Sequence, residues 1–134
     1  MIRIAMPIKR ERKPRQDREH AEAVKLMQLV RMHENRWPAL KWLFHVPNGG
    51  ARSKAAGGKL KAEGVKRGVP DYLLPCPSAN WCGLALELKA KGGRLETEQR
   101  TWLDHFDAQG WQSTVCFGAE EAWAVIRDYV RGCE

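Results

Sequence analysis

Apolar residues recur at helical spacing across residues 17–36, where Ala23, Leu26, Met27 and Val30 share one face. Pro38 closes that helix. Residues 41–46 are apolar and aromatic and read as a short strand, broken by Pro47-Asn48-Gly49-Gly50. Residues 51–70 are rich in Gly, Lys and Arg and offer one helical turn at most, around residues 59–63. Residues 71–74 form a short strand, and Pro75, Pro77, Ser78 and Asn80 mark a turn. Residues 82–89 are the clearest strand, ended by Gly92-Gly93. A helix over 97–109 carries Trp102, Leu103 and Phe106 on one face. A strand over 111–117 leads to an amphipathic helix over 118–131 with Ala122, Val125, Ile126 and Tyr129. The order is helix, three strands, helix, strand, helix. It predicts a single α/β domain with a central mixed sheet flanked by helices. Residues 1–16 lack periodicity and contain Pro7 and Pro14, so they read as an arm ahead of a domain at 17–134.

Charge changes this picture at one end. Residues 1–18 hold seven Lys/Arg against two acids, so the arm carries most of the net +7. Such a tail suits phosphate contacts, and equally suits a solvated leader. No apolar run approaches the roughly 20 residues of a membrane span, and no apolar stretch follows the basic N-terminus. The expected setting is therefore intracellular, with no membrane partner. Cys76, Cys82, Cys116 and Cys133 form no metal-binding spacing, and a chain of 134 residues can fold without disulfides. Cys116 lies in an apolar run and reads as core, and His45 reads as structural.

Strand 82–89 carries the chemistry. Alternation puts Leu84, Leu86 and Leu88 on one face and Ala85, Glu87 and Lys89 on the other. A Glu and a Lys two apart on an apolar strand are costly to bury unless paired or used. If strand 71–74 pairs with 82–89 as a hairpin, Asp71 comes near Glu87. Two carboxylates there suit Mg²⁺ or Mn²⁺, with Lys89 beside them to orient water or stabilise developing charge. Gln99 falls on the inward face of its helix and needs a partner, either at this site or in the free backbone of the helix's first turn. The pattern alone also fits a solvated strand edge. The glycines at 57–58 tempt a phosphate-loop reading, but Gly58-Lys59 is followed by Leu60 rather than Ser or Thr.

The ordered strings narrow the choice. His45-Val46-Pro47-Asn48-Gly49-Gly50 is followed by Gly68-Val69-Pro70-Asp71, then Leu86-Glu87-Leu88-Lys89, Glu98-Gln99 and Gln109-Gly110-Trp111. Over roughly residues 19–131 this resembles the VRR-NUC family of the PD-(D/E)xK nuclease superfamily, in particular its stand-alone members from bacterial viruses. The resemblance implies Asp71 and Glu87 as ligands for Mg²⁺ or Mn²⁺, with the Leu88 carbonyl as a further one. It implies Lys89 as the catalytic lysine and Gln99 as support for Lys89 or a water. Glu19 best fits the acidic slot on the first helix, with Glu22 as fallback.

Two positions depart from the family pattern. Ala23 stands where a Gln is common, and Glu96 stands where a Ser commonly caps the helix, leaving Thr97 as a substitute cap. Asn48 would shape the loop near the metal, and Arg52, Lys54, Lys59, Lys61, Lys66 and Arg67 would face DNA. The implied activity is structure-specific DNA cleavage in the cytoplasm of a bacterial or phage-infected cell. The working expectation is a homodimer that nicks both strands of a four-way (Holliday) junction. Trp37, Trp81 and Trp111 are the candidate interface aromatics. A non-catalytic DNA-binding module and a sequence-reading restriction-type nuclease are the alternatives.

Overall fold

The computed structural model describes residues 12–47 and 54–133. Helix α1, Arg15–His33, starts directly after Pro14. That is two residues earlier than its apolar face indicates, because a helix's first turn needs no core contacts. A 3-10 turn, Pro38–Trp42, leads to β1, Phe44–His45. Helix α2, Lys54–Ala62, precedes β2, Tyr72–Leu74, and β3, Leu84–Lys89. Helix α3, Thr97–Ala108, β4, Gln112–Phe117, and α4, Ala119–Val130, complete the chain.

The sheet order is β1-β2-β3-β4. β1 with β2 and β2 with β3 are antiparallel, whereas β3 with β4 is parallel. The parallel pair requires a crossover, which α3 provides. This is the mixed sheet that the sequence predicts. Leu84, Leu86 and Leu88 join Leu26 and Val30 of α1 and Ala122, Trp123 and Ile126 of α4 in one buried cluster. α3 packs on β4 and β3. Cys116 is fully buried as expected, and all four cysteines are free thiols. Trp111 packs so closely over Gly83 that a Cβ there would sit 2.5 Å from its ring.

Two segments differ from the sequence expectation. The strand expected over 41–46 shrinks to two residues. Leu40 and Leu43, three apart, are both buried, a spacing that a 3-10 turn satisfies and an alternating strand does not. The basic segment forms a nine-residue helix, α2, rather than a single turn. None of its residues is buried. Its small apolar residues and Gly57-Gly58 give little periodic signal, so the pattern conceals it.

Candidate active site

β3 places Glu87 and Lys89 on the face away from the leucines, and every residue of the strand is buried. The β2–β3 register pairs Tyr72 with Leu86. One step further along an antiparallel pair sets Asp71 opposite Glu87, on the same face. The Asp71 carboxylate confirms the juxtaposition, since its Oδ2 accepts the Leu88 N–H at 2.8 Å. The Asp71 backbone carbonyl accepts the Val46 N–H at 2.7 Å, tying the residue to the end of β1.

Gly68 explains the glycine of the Gly68-Val69-Pro70-Asp71 run. Its φ is +84°, and a Cβ would stand 2.6 Å from the Glu98 carbonyl carbon. Only glycine lets this loop rest on the start of α3. Trp102 Nε1 donates to the Arg67 carbonyl at 3.0 Å, a second tie from α3 to the same loop.

Glu87 is held from two sides. Gln99 Nε2 donates to its Oε1 at 2.8 Å, and Lys89 Nζ lies 3.4 Å from the same oxygen. Its Oε2 is buried, with no hydrogen-bond partner among the described residues. Glu87 and Lys89 are each about 2% exposed. Burial, reinforced by the Asp71 charge, pushes the Glu87 carboxyl up to about 8, against the opposing pull of Lys89. Burial also raises Asp71, opposed by the Leu88 N–H and by the charges of His45 and Lys89. Two carboxylates whose ionised forms are both disfavoured attract a cation.

Gln99 combines both roles open to it in the sequence. Its Oε1 accepts the Glu96 N–H at 2.9 Å as part of a capping box, which frees its Nε2 for Glu87. Its partner is Glu87, not Lys89. Glu96 is the N-cap of α3, so Thr97 does not substitute for the missing Ser.

The two candidate glutamates on α1 separate clearly. Glu19 lines a cleft of about 390 Å³ with Arg15, Arg67, Asp71, Glu87, Lys89 and Gln99. It also lines an adjoining cleft of about 380 Å³ with His20, Ala23, His45, Asp71 and Leu88. Its charge contributes to the upward push on Asp71. Glu22, by contrast, accepts the Ala119 N–H at 2.6 Å. It caps the buried N-terminus of α4 and is thereby occupied. His45, which reads as structural in the sequence, packs on Tyr72 with ring centroids 5.1 Å apart and faces the second cleft beside Asp71. A single histidine in a short strand gives no sequence signal of that position. Ala23 puts a small side chain on the wall of this second cleft.

The donor set fits a hard divalent cation. Glu87 Oε2 is a buried oxygen lacking a partner among the described residues, and Asp71 lies opposite, its Oδ2 on the Leu88 N–H. Among the described residues no three His, Cys, Asp or Glu side chains converge into a cage. Mg²⁺ does not need one, because it commonly takes one or two carboxylates and keeps waters and phosphate oxygens.

Of the expected DNA-facing residues, Lys54, Lys59 and Lys61 lie on α2, and Lys66 and Arg67 follow it, all exposed. Arg67 lines the cleft. Asn48 and Arg52 fall outside the described residues. No helix among the described residues is long and apolar enough to cross a membrane.

The mixed sheet thus presents two carboxylates and a lysine at one strand end, beside a glutamine from the next helix. The VRR-NUC domain model matches residues 15–120, and the chain belongs to that family. A solved structure described as a VRR_NUC domain protein shares the fold, with TM-score 0.71, 19% identity, and coverage of 87% of this chain and 91% of that one. No curated protein matches the chain. The family gives the chain a nuclease-type role in processing DNA.

Proposed function

We propose that the protein is a metal-dependent, structure-specific DNA endonuclease that hydrolyses phosphodiester bonds. The observation that carries this reading is the Glu87 carboxylate. One oxygen is fixed by Gln99 and Lys89, while the other is buried without a partner among the described residues, beside Asp71 in an open cleft. Asp71, Glu87 and the Leu88 carbonyl would hold Mg²⁺ or Mn²⁺. When bound, such a cation supplies Lewis-acid polarisation of a phosphoryl oxygen and lowers the pKa of water.

The chain's own residues do the rest. Gln99 keeps Glu87 in one rotamer through the capping box. Lys89 presents ammonium donors to the attacking water or to charge developing on the phosphate. Glu19 faces the same cleft from α1 and completes its acidic floor. Exposed cations at Lys54, Lys59, Lys61, Lys66 and Arg67 provide the phosphate contacts that position a duplex without reading sequence.

In this reading the active form is a homodimer that resolves four-way junctions, since a two-fold enzyme matches two equivalent strands. Among the interface candidates, Trp37 is engaged with His33 and Trp123, and Trp111 with Phe106. Trp81 is 39% exposed, but Trp42 reaches 66% and Phe44 47%, at the edge strand β1. An exposed apolar edge supports self-association.

The decisive experiment is cleavage of end-labelled four-way junction and matched linear duplex with Mg²⁺, Mn²⁺ or chelator. Paired, metal-dependent nicks in the junction with duplex spared are expected. Equal cutting of both removes the structure specificity and favours a restriction-type enzyme. Binding without cutting in either metal overturns the nuclease reading for a non-catalytic module. Light scattering tests the dimer, and a strict monomer with and without junction DNA would overturn it.

A further inference from the structure

The start of α1 carries a feature that the acidic site does not use. Arg12, Arg15 and Arg18 recur every three residues, and all three lie along the loop between β3 and α3. Arg18 Nη1 donates to the Lys91 carbonyl at 3.4 Å, and Arg15 Nη2 donates to the Arg94 carbonyl at 3.5 Å. The Arg12 guanidinium lies over Gly92, 3.8 Å from where a Cβ would stand. Arg94, which is exposed, adds a fourth guanidinium to the same loop.

Helix stability does not account for this arrangement. Cations in a first turn oppose the helix dipole, which favours anions there. Like charges brought together along one loop repel, and the acid joined to them is Glu19, at 3.1 Å from Arg15 Nε. A guanidinium has five N–H donors in a planar fork. Two donor atoms of Arg15 and one of Arg18 are used in these contacts, and Arg18 Nε is buried with no partner among the described residues. The carbonyl contacts hold the stems in place and leave the remaining donors for another acceptor. Arg15 also lines the cleft that holds Glu87 and Lys89, as does Arg67.

We infer that Arg12, Arg15 and Arg18 form a phosphate-binding rail along the β3–α3 loop, meeting the active-site cleft at Arg15 and holding the DNA backbone beside it. Arg67 lines the same cleft from the loop before β2, beside the acidic groups Glu19, Asp71 and Glu87. This inference rests on the nuclease reading for its ligand, but not on turnover for its test.

The test replaces Arg12, Arg15 and Arg18 by Gln, which keeps an amide donor for the loop carbonyls while removing the charge. Binding of labelled junction and duplex is measured in chelator across a salt series, with thermal melting in the same buffers. The slope of log K against log salt should fall by about 2–3, since each neutralised phosphate contributes about 0.9. The single variant Arg12→Gln, which changes a residue ahead of α1, should fold normally and lower the slope by about one. An unchanged slope, with or without a lowered melting temperature, makes the arginines a structural staple and overturns the rail while leaving the nuclease reading standing. Failure of the wild-type protein to bind either DNA in chelator overturns the rail together with that reading.

Discussion

The two faces of β3 are buried alike and differ in every other respect. Leu84, Leu86 and Leu88 pack into the cluster shared with α1 and α4. Burial there is favourable by roughly 1.5–3 kcal/mol per side chain. On the other face Glu87 and Lys89 are equally hidden, yet burial opposes the Glu87 charge, and the ion pair with Lys89 at 3.4 Å does not offset it. A strand built for stability alone would carry apolar residues on both sides. The difference teaches that the leucine face positions the strand and the charged face depends on that positioning. The second face stores a carboxylate that a cation would relieve.

The sharpest way to break this comparison is Glu87→Gln. Cleavage should fall by on the order of 10³-fold or more while DNA binding in chelator persists. Activity within tenfold of wild type would remove Glu87 from the site. The same variant tests the electrostatics. Folded Glu87 keeps its proton up to about pH 8, whereas the unfolded carboxyl releases it near 4.5. The folded chain therefore binds more protons in that window, and its stability in chelator falls as pH rises through it. At about 1.4 kcal/mol per pKa unit the loss amounts to a few kcal/mol. Urea titrations at pH 5 and pH 8 should reveal the fall in wild type, its reduction by saturating Mg²⁺, and a flatter profile in Glu87→Gln. A wild-type profile flat in chelator would contradict the stored charge.

Lys89→Met ranks next. Turnover should drop roughly 10²-fold with little change in metal affinity measured calorimetrically. Unchanged turnover would leave the lysine a mere partner for Glu87. The leucine face should respond in the opposite currency. Leu86→Ala should lose about 2–5 kcal/mol in denaturant while each folded molecule keeps its activity. A loss below 1 kcal/mol would mean that the core face does not support the strand as described.

Alternation exposed both faces of β3 in the sequence because period two needs only six residues to be visible. The hairpin that brings Asp71 to Glu87 followed from turn residues between two apolar runs. Gln99 was legible as an inward amide, yet its choice of Glu87 over Lys89 was not. That choice depends on the capping box, which fixes Oε1 on the backbone and aims Nε2 at the carboxylate. α2 showed in the sequence only as a single turn around residues 59–63, because a helix without buried residues has no apolar stripe to display. His45 reached the cleft through the β1–β2 register, a long-range pairing that no local pattern encodes.

Glu19 and Glu22 give the smallest and most discriminating contrast. Both acids sit on the same helix three residues apart, and the sequence permits either at the site. Glu22→Ala removes the carboxylate that accepts the Ala119 N–H, so α4 loses its N-terminal acceptor. The expected cost is about 0.5–2 kcal/mol of stability, with cleavage per folded molecule unchanged. Glu19→Ala removes an exposed pair with Arg15, worth at most about 0.5 kcal/mol. Its effect should appear instead as a roughly tenfold rise in the metal concentration needed for half-maximal cleavage, of the size found when an outer-shell partner is lost. The two substitutions should thus separate, one moving the melting curve and the other the metal titration. If Glu22→Ala shifts the metal titration and Glu19→Ala does not, the acidic floor of the cleft is assigned to the wrong turn of α1.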